Sequence, residues 1–284
     1  FRTALQSSKH IVVIAGAGLS AASGIPTFRD GGGMWRSLNA TALATPEAFN
    51  ENPSLVWQFY HYRRTKALEA KPNAAHDVIA KMSVPIHLRK VAPSAQSFHL
   101  VTQNVDRLSI SALNSLLAGP DRDLLSDTPK TRTVFRNSII EMHGRIYDVR
   151  CTTCDFCKED RTDPLCSALG AADASFQNYH DAGSKDVHIP EIDLPRCSAC
   201  GALARPGVVW FGEKPYHLDE INSIVYKADM CLVIGTSSTV RPASTYAYRV
   251  QRRGGKVAVF NLAPSEKDEQ ADFVFTGPCE TVLP

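Results

Sequence analysis

The chain has 284 residues, 44% of them hydrophobic, and its 31 Lys and Arg nearly balance its 29 Asp and Glu to give a formal net charge of +2. That length and apolar content can bury one large core with an inserted module, and they exclude a disordered chain. Scattered, balanced charge excludes a basic track for nucleic acid, and no apolar run is long enough to predict a membrane span.

In chain order, Ile11–Ala15, His99–Thr102, Val208–Trp210, Cys231–Ile234, Val257–Phe260 and Phe273–Phe275 are short runs rich in β-branched and aromatic residues. Apolar runs of that length, alternating with helix-like stretches, predict a parallel sheet covered on both faces, so the fold class is α/β, doubly wound. Pro53 to Lys71 reads as a helix, and Cys151 to Cys200, rich in Cys, Asp and Ser, reads as part of a smaller second module. Ser109 to Asn137 carries turn residues and few apolar runs, which predicts a surface loop with some helix.

The first run is followed by Gly16-Ala17-Gly18-Leu19-Ser20-Ala21, which satisfies G-x-G-x-x-G/A. The first glycine makes the turn, the second lets backbone approach a diphosphate, and the next helix presents its N-terminus to the anion. An ordinary tight turn would read the same way. The acidic residue that a simple dehydrogenase places about 20 positions on is missing, and Phe28, Arg29, Asp30 and Gly31 to Gly33 stand there instead. Those glycines predict a mobile lid with Arg29 as a phosphate or carboxylate partner, against the alternative of a plain surface loop.

Cys151-x-x-Cys154 and Cys197-x-x-Cys200 supply four thiolates, enough to close a tetrahedral zinc site with no place for water, which predicts a structural metal and a reducing compartment. Cys154 and Cys157 form a third pair of the same spacing. Cys151 with Cys154 is preferred, because Cys151 directly follows the strand-like Tyr147 to Arg150 and the resemblance below agrees. Cys166, Cys231 and Cys279 are expected to be small buried hydrophobes.

Gln103, Asn104 and Asp106 follow one apolar run, Gly235, Thr236 and Ser237 another, and Asn261 a third. The crevice at the carboxyl ends of parallel strands is where such sheets bind ligands, although any one of these could be an Asx turn or a helix cap. His143 is one histidine among nine. An imidazole titrating near neutrality can take a proton from a sugar hydroxyl, but a lone histidine is more often a structural hydrogen-bonding residue.

Taken in order, Gly16-Ala-Gly18-x-Ser20, Gly24-x-Pro26-x-Phe28-Arg29, Thr102-Gln103-Asn104-x-Asp106, His143-Gly144, the cysteine pairs, Val209-Trp210-Phe211-Gly212-Glu213 and Gly235-Thr236-Ser237 resemble the sirtuin family over nearly the whole chain. The resemblance implies a Rossmann-type NAD-binding domain at 1–30, 85–147 and 205–284. It also implies a small domain made of a helical module at 31–84 and a zinc module at 148–204. NAD contacts would come from Gly16, Ala17, Gly18, Ser20, Ala21, Phe28, Arg29, Gln103, Asn104, Asp106, Gly235, Thr236, Ser237, Asn261, Leu262 and Cys279. Zn2+ would sit on Cys151, Cys154, Cys197 and Cys200. His143 would be the catalytic base, with Asn104 as the second catalytic residue, and Val208 to Glu213, including Phe211 and Gly212, would pair with the substrate peptide as an added strand. The implied reaction is attack of an acyl oxygen on the nicotinamide ribose, release of nicotinamide, and transfer that ends in free lysine and 2'-O-acyl-ADP-ribose.

Tyr60 and Arg63 lie three apart on the predicted helix and share a face, where a phenol and a guanidinium can clamp a carboxylate. With Ala40 as a small residue widening the acyl pocket, they resemble the class III branch of the family, which removes succinyl, malonyl or glutaryl groups. The implied partners are acyl-lysine proteins or peptides, with no nucleic acid and no membrane, and the implied state is a monomer in the mitochondrial matrix, with cytosol or nucleus as further compartments. An ordinary deacetylase, a mono-ADP-ribosyltransferase and a non-enzymatic NAD-sensing scaffold are the competing readings. The chain departs from the family pattern at Ser109, where His is usual, at Arg241, where Tyr is expected, at Ala263, which lacks an acid, and in the longer stretch before His143.

Overall fold

A computed structural model describes residues 1–27, 34–36, 38–119, 128–178, 187–265 and 270–284. Among these residues the strands are β1 (His10–Ala15), β2 (Met34–Trp35), β3 (Leu38–Asn39), β4 (Ser97–Thr102), β5 (Ile139–Glu141), β6 (Gly144–Cys151), β7 (Cys157–Glu159), β8 (Ala204–Val208), β9 (Met230–Ile234), β10 (Lys256–Asn261) and β11 (Phe273–Thr276). They are distributed over two units, Phe1–Ile25 with Lys71–Met142 and Tyr216–Pro284, and Pro26–Ala70 with His143–Pro215.

The first unit is built on a parallel sheet in the order β11-β10-β9-β1-β4-β5. Its central strand explains the continuous apolar run, because both faces are covered. Ile11, Val13 and Ala15 enter one core with Ala75, Ile79, Leu88 and Leu113 of the helices Ala74–Met82, Pro85–Val91 and Leu108–Ala118. Val12 and Ile14 enter the opposite core with Ile221 and Val225 of Leu218–Lys227 and Tyr246 and Val250 of Tyr246–Gln251. Each buried Val, Leu or Ile side chain among them contributes about 2 kcal/mol, so a charge at any of these positions would break the layer.

The second unit holds the antiparallel sheet β7-β6-β8 and the helix Pro53–Glu69. Asn52 starts that helix by accepting the Leu55 N–H at 3.0 Å, with Pro53 in the first turn, where its missing N–H costs nothing. The helix is tied to the sheet by polar groups as well as packing. The Trp57 indole donates to the Ala204 carbonyl at 2.8 Å, and the fully buried Arg64 donates to the carbonyls of Ile146 (3.0 Å), Asp160 (2.7 Å) and Thr162 (3.3 Å). A buried guanidinium is tolerable only because these acceptors replace its water.

Several expectations shift. The run Val208–Trp210 is not a strand of the parallel sheet; Val208 ends β8, which pairs antiparallel with β6, and Trp210 lies in the turn that follows. The outer place beside β4 is taken by β5, too short to stand out in the sequence. Residues 71–84, expected with the helical module, pack with the parallel sheet through Ala75, Ile79, Ala80, Met82 and Val84. The stretch Ser109 to Asn137, read as a surface loop with some helix, is more helical than expected, holding most of Leu108–Ala118 and all of Pro129–Asn137, with 120–127 outside the described residues. The glycine motif itself folds into a short 3₁₀ helix, Ala17–Ser23, with Gly16 as its N-cap. Among the described residues no helix is long and apolar enough to cross a membrane.

Candidate functional site

In the first unit the chain proceeds outward from β1 through β4 to β5, then returns to place β9 on the other side of β1. Strand order therefore reverses between β1 and β9, and such a switch point leaves a crevice at the carboxyl ends of the strands. Backbone geometry sets its lining. The Gly18 N–H donates to the Gly235 carbonyl at 2.8 Å, and a Cβ on Gly235 would stand 2.3 Å from the Leu19 nitrogen, at a φ of +59°. Only glycine allows the two loops to approach this closely.

Polar side chains from the segments that follow β1 and β4 interlock at this edge. Asn104 Nδ2 donates to the Gly16 carbonyl (3.0 Å) and to Ser20 Oγ (3.2 Å), and the Ser20 hydroxyl donates to Asp106 Oδ2 (2.7 Å). Asp106 Oδ1 accepts the Leu108 N–H at 2.9 Å. Buried His76 lies 3.4 Å from Ser20 Oγ through Nε2, while its Nδ1 accepts the Asn73 N–H at 3.3 Å. Burial pushes the His76 imidazole down to about 4, so it is neutral, and with Nδ1 accepting, its proton is on Nε2. Gln103 Nε2 donates to Thr236 Oγ1 at 3.2 Å, and Asn261 Nδ2 donates to the Thr236 carbonyl at 3.2 Å, joining the ends of β4, β9 and β10. Ser237 Oγ is 2.8 Å from Thr239 Oγ1. A small cavity here is lined by Ile14, Gln103, Val233, Thr236, Ser238 and Ala243.

The remaining candidates of this group are placed variously. Ala17 is half-buried, Ala21 and Leu262 are exposed, and Cys279 is buried with its thiol 3.8 Å from the Phe260 carbonyl. Phe28 and Arg29, and with them the expected lid, lie outside the described residues.

In the second unit His143 is half-buried, immediately before Gly144, whose φ is +78°. Its carbonyl accepts the Val209 N–H at 2.8 Å, which fixes the backbone from which the imidazole projects. Of Val208 to Glu213, only Val208 is in a strand. The Phe211 N–H donates to the Ala44 carbonyl at 2.9 Å, Gly212 has a φ of +90°, and the Glu213 N–H turns back to Trp210 O at 3.0 Å, while the Phe211 side chain is exposed.

Tyr60 and Arg63 stand on one face of the helix Pro53–Glu69, Tyr60 buried and Arg63 half-buried with its guanidinium 5.7 Å from the Phe59 ring; Ala40 is buried at the start of the helix Ala40–Leu43. Burial pushes the Tyr60 phenol up to about 12, so it remains a neutral donor. Its oxygen accepts the Trp210 indole N–H at 3.0 Å. The Trp210 ring is covered by the Arg205 guanidinium at 3.5 Å and by Phe49 at 5.2 Å. Arg205 in turn makes a bidentate pair with Glu213 (2.6 and 2.9 Å), and Glu213 Oε2 accepts the Trp210 backbone N–H at 2.8 Å. Although burial opposes ionisation, the Arg205 and Trp210 hydrogen bonds hold the Glu213 carboxyl below its ordinary value. Sequence reasoning found Tyr60 and Glu213 but missed Trp210 and Arg205 as their partners; no local pattern links positions 150 residues apart.

The four expected cysteines converge, with sulfur atoms all within 4.8 Å of one another, 3.5 Å between Cys151 and Cys200 and 3.7 Å between Cys154 and Cys197. A tetrahedron with Zn–S bonds near 2.3 Å has edges of about 3.8 Å, so the set fits zinc. The N–H groups of Thr153 and Cys154, each at 3.3 Å, support the Cys151 thiolate. Cys157 is exposed at the start of β7 and outside the cluster, while Cys231 is buried and Cys166 only partly so.

The Sir2 family model matches residues 16–118 and 127–242. The chain is 41% identical over 288 residues to the Xenopus tropicalis "NAD-dependent protein deacylase sirtuin-5, mitochondrial", covering all of this chain and 83% of that protein. It is 37% identical over 282 residues to the Pyrococcus furiosus "NAD-dependent protein deacylase", covering 99% and 92%. A solved Sir2 homologue in complex with NAD superposes with a TM-score of 0.72 at 32% identity, covering 98% of this chain and 88% of that one. Parallel sheet, glycine-lined switch point, four-cysteine cluster and these likenesses agree, and the chain belongs to the Sir2 family, in its class III branch.

Proposed function

We infer that the protein is an NAD-dependent protein-lysine deacylase acting in the mitochondrion, and that it prefers acidic acyl groups, succinyl, malonyl or glutaryl. Membership of the family and the named activity and compartment of the relatives support the first part. The observation that carries the acyl preference is the helical pair: a neutral buried phenol at Tyr60 and the guanidinium of Arg63 one turn away, with only a methyl group at Ala40. A carboxylate needs a charge-assisted partner to enter a buried pocket, and an acetyl group does not.

NAD, when bound, supplies the ribose carbon that receives the acyl oxygen and the hydroxyl that carries the acyl group away. The first unit is the NAD-binding domain: Gly16 to Ser20 and Gly235 to Ser237 hold the phosphates and adenosine side, and Gln103, Asn104 and Asp106 hold the nicotinamide ribose. His143 takes the proton from a ribose hydroxyl, the general-base role an imidazole can fill. Val208 to Glu213 hold the peptide. The zinc on Cys151, Cys154, Cys197 and Cys200 is structural, since four thiolates leave it no open position. The working unit is a monomer that binds neither membrane nor nucleic acid, in keeping with a net charge of +2.

The test is a panel of matched acyl-lysine peptides with NAD, read by mass spectrometry. Release of nicotinamide with 2'-O-acyl-ADP-ribose is expected, fastest on the acidic acyl peptides, and ADP-ribose bound to protein instead would overturn the reading. Arg63→Met should lower the succinyl-to-acetyl ratio of kcat/KM by about 10- to 100-fold, the cost of losing a hydrogen bond to a charged group. Equal loss on both peptides, or none, would sink the acyl assignment.

A further inference from the structure

A tyrosine hydroxyl can present either its proton or its lone pairs to a ligand, because it turns about the C–O bond. For a carboxylate only the proton will do. The indole N–H of Trp210 is a donor with no acceptor capacity, and at 3.0 Å from Tyr60 Oη it occupies one side of that oxygen. Proton and lone pairs of the hydroxyl are thereby no longer equivalent: rotating the phenolic proton toward Trp210 would set two hydrogens against each other. The indole is itself immobilised, 3% exposed, capped by Arg205 at 3.5 Å, and tethered through its backbone N–H to Glu213, which is clamped by the same arginine.

We propose that Trp210 is a positioning residue for acyl selectivity, committing the Tyr60 oxygen as acceptor on its own side so that the phenolic proton is presented to the carboxylate of an acidic acyl-lysine. This rests on the acidic-acyl reading above. Arg205 and Glu213 hold Trp210 in place, so selectivity is set by a chain of contacts that runs from β8 and the turn after it to the helix Pro53–Glu69.

Trp210→Phe keeps a ring and deletes the donor. Its kcat and KM on matched succinyl- and acetyl-lysine peptides are compared with those of wild type, Tyr60→Phe and the double variant. The succinyl-to-acetyl ratio of kcat/KM should fall about fivefold in Trp210→Phe, as expected for one lost neutral hydrogen bond, and mainly through KM for the succinyl peptide. In the Tyr60→Phe background the second substitution should leave the ratio where it was. Equal loss on both peptides, or a further fall in the double variant, overturns the positioning role while the acyl reading stands. If Tyr60→Phe itself leaves the ratio unmoved, both fall together. Should Trp210→Phe fail to give a cooperative melting curve, Arg205→Met, which frees the indole without deleting its N–H, should lower the same ratio about twofold to threefold, and an unchanged ratio overturns the proposal.

Discussion

The strand-end edge of the first unit and the aromatic cluster of the second are organised by different physics. At Gly16, Gly18 and Gly235 the shape is set by backbone touching backbone, and the side chains that fill it, Ser20, Asn104 and Asp106, are short and bonded to one another or to main chain. Around Tyr60 and Trp210 the shape is set by long side chains, rings stacked on guanidinium and a carboxylate clamp. The first arrangement can hardly be altered by substitution without moving a strand. The second can be retuned one side chain at a time. On the proposed reading, with NAD at the edge and the acyl group at the cluster, that division suits an enzyme whose cofactor is constant while acyl groups differ.

The largest effect expected comes from neither shape but from chemistry. His143→Ala should lower kcat by about 10²- to 10⁴-fold, the range for a lost general base, with melting temperature and zinc content close to wild type. Normal turnover would remove His143 from the reaction. Gly235→Ala probes the backbone-set edge: with φ at +59° and a Cβ 2.3 Å from the Leu19 nitrogen, it should cost more than about 2 kcal/mol in urea unfolding and raise KM for NAD. A silent substitution here would show that the edge is softer than the contrast requires.

A pH titration separates the same edge from the rest. The His76 imidazole is about 4 in the folded protein, lowered by burial, against an unfolded value near 6.5. Above pH 6.5 it is neutral in both states and costs nothing. As pH falls from 6.5 toward 4 the unfolded chain gains a proton that the folded chain cannot accept, so up to about 3 kcal/mol of stability is lost over that window. Urea midpoints measured across it should flatten in His76→Gln, a neutral residue that can still serve the helix cap with Asn73; an unaltered acid limb would assign the loss elsewhere. The smallest effect belongs to the zinc module: Cys157→Ser should leave metal stoichiometry unchanged while Cys197→Ser lowers it, since only the latter lies in the cluster. Metal loss from Cys157→Ser would put the third C-x-x-C pair back in contention.

Much of this was readable from local pattern. The inner strands β1, β4, β9 and β10 declared themselves because burial on both faces demands unbroken apolar runs, and the cysteine pairs because four thiolates at that spacing have few other uses. The three residues of β5 carried too little pattern to be seen. Val208–Trp210 was legible as an apolar run but not as an antiparallel edge, since the run records burial and not the direction of its neighbour.

Alternation and thiolate pairing, properties of residues near one another in the chain, were enough to determine the fold class and the four-cysteine metal cluster. Only the tertiary structure decided which β-rich run joined which sheet, that Arg64 would spend its charge on three carbonyls, and that Trp210 would reach Tyr60 from 150 residues away. The reason is that a donor's partner is chosen by packing: the bond exists only once distant segments have been brought to within hydrogen-bonding distance and shut off from water, and no local propensity encodes that distance.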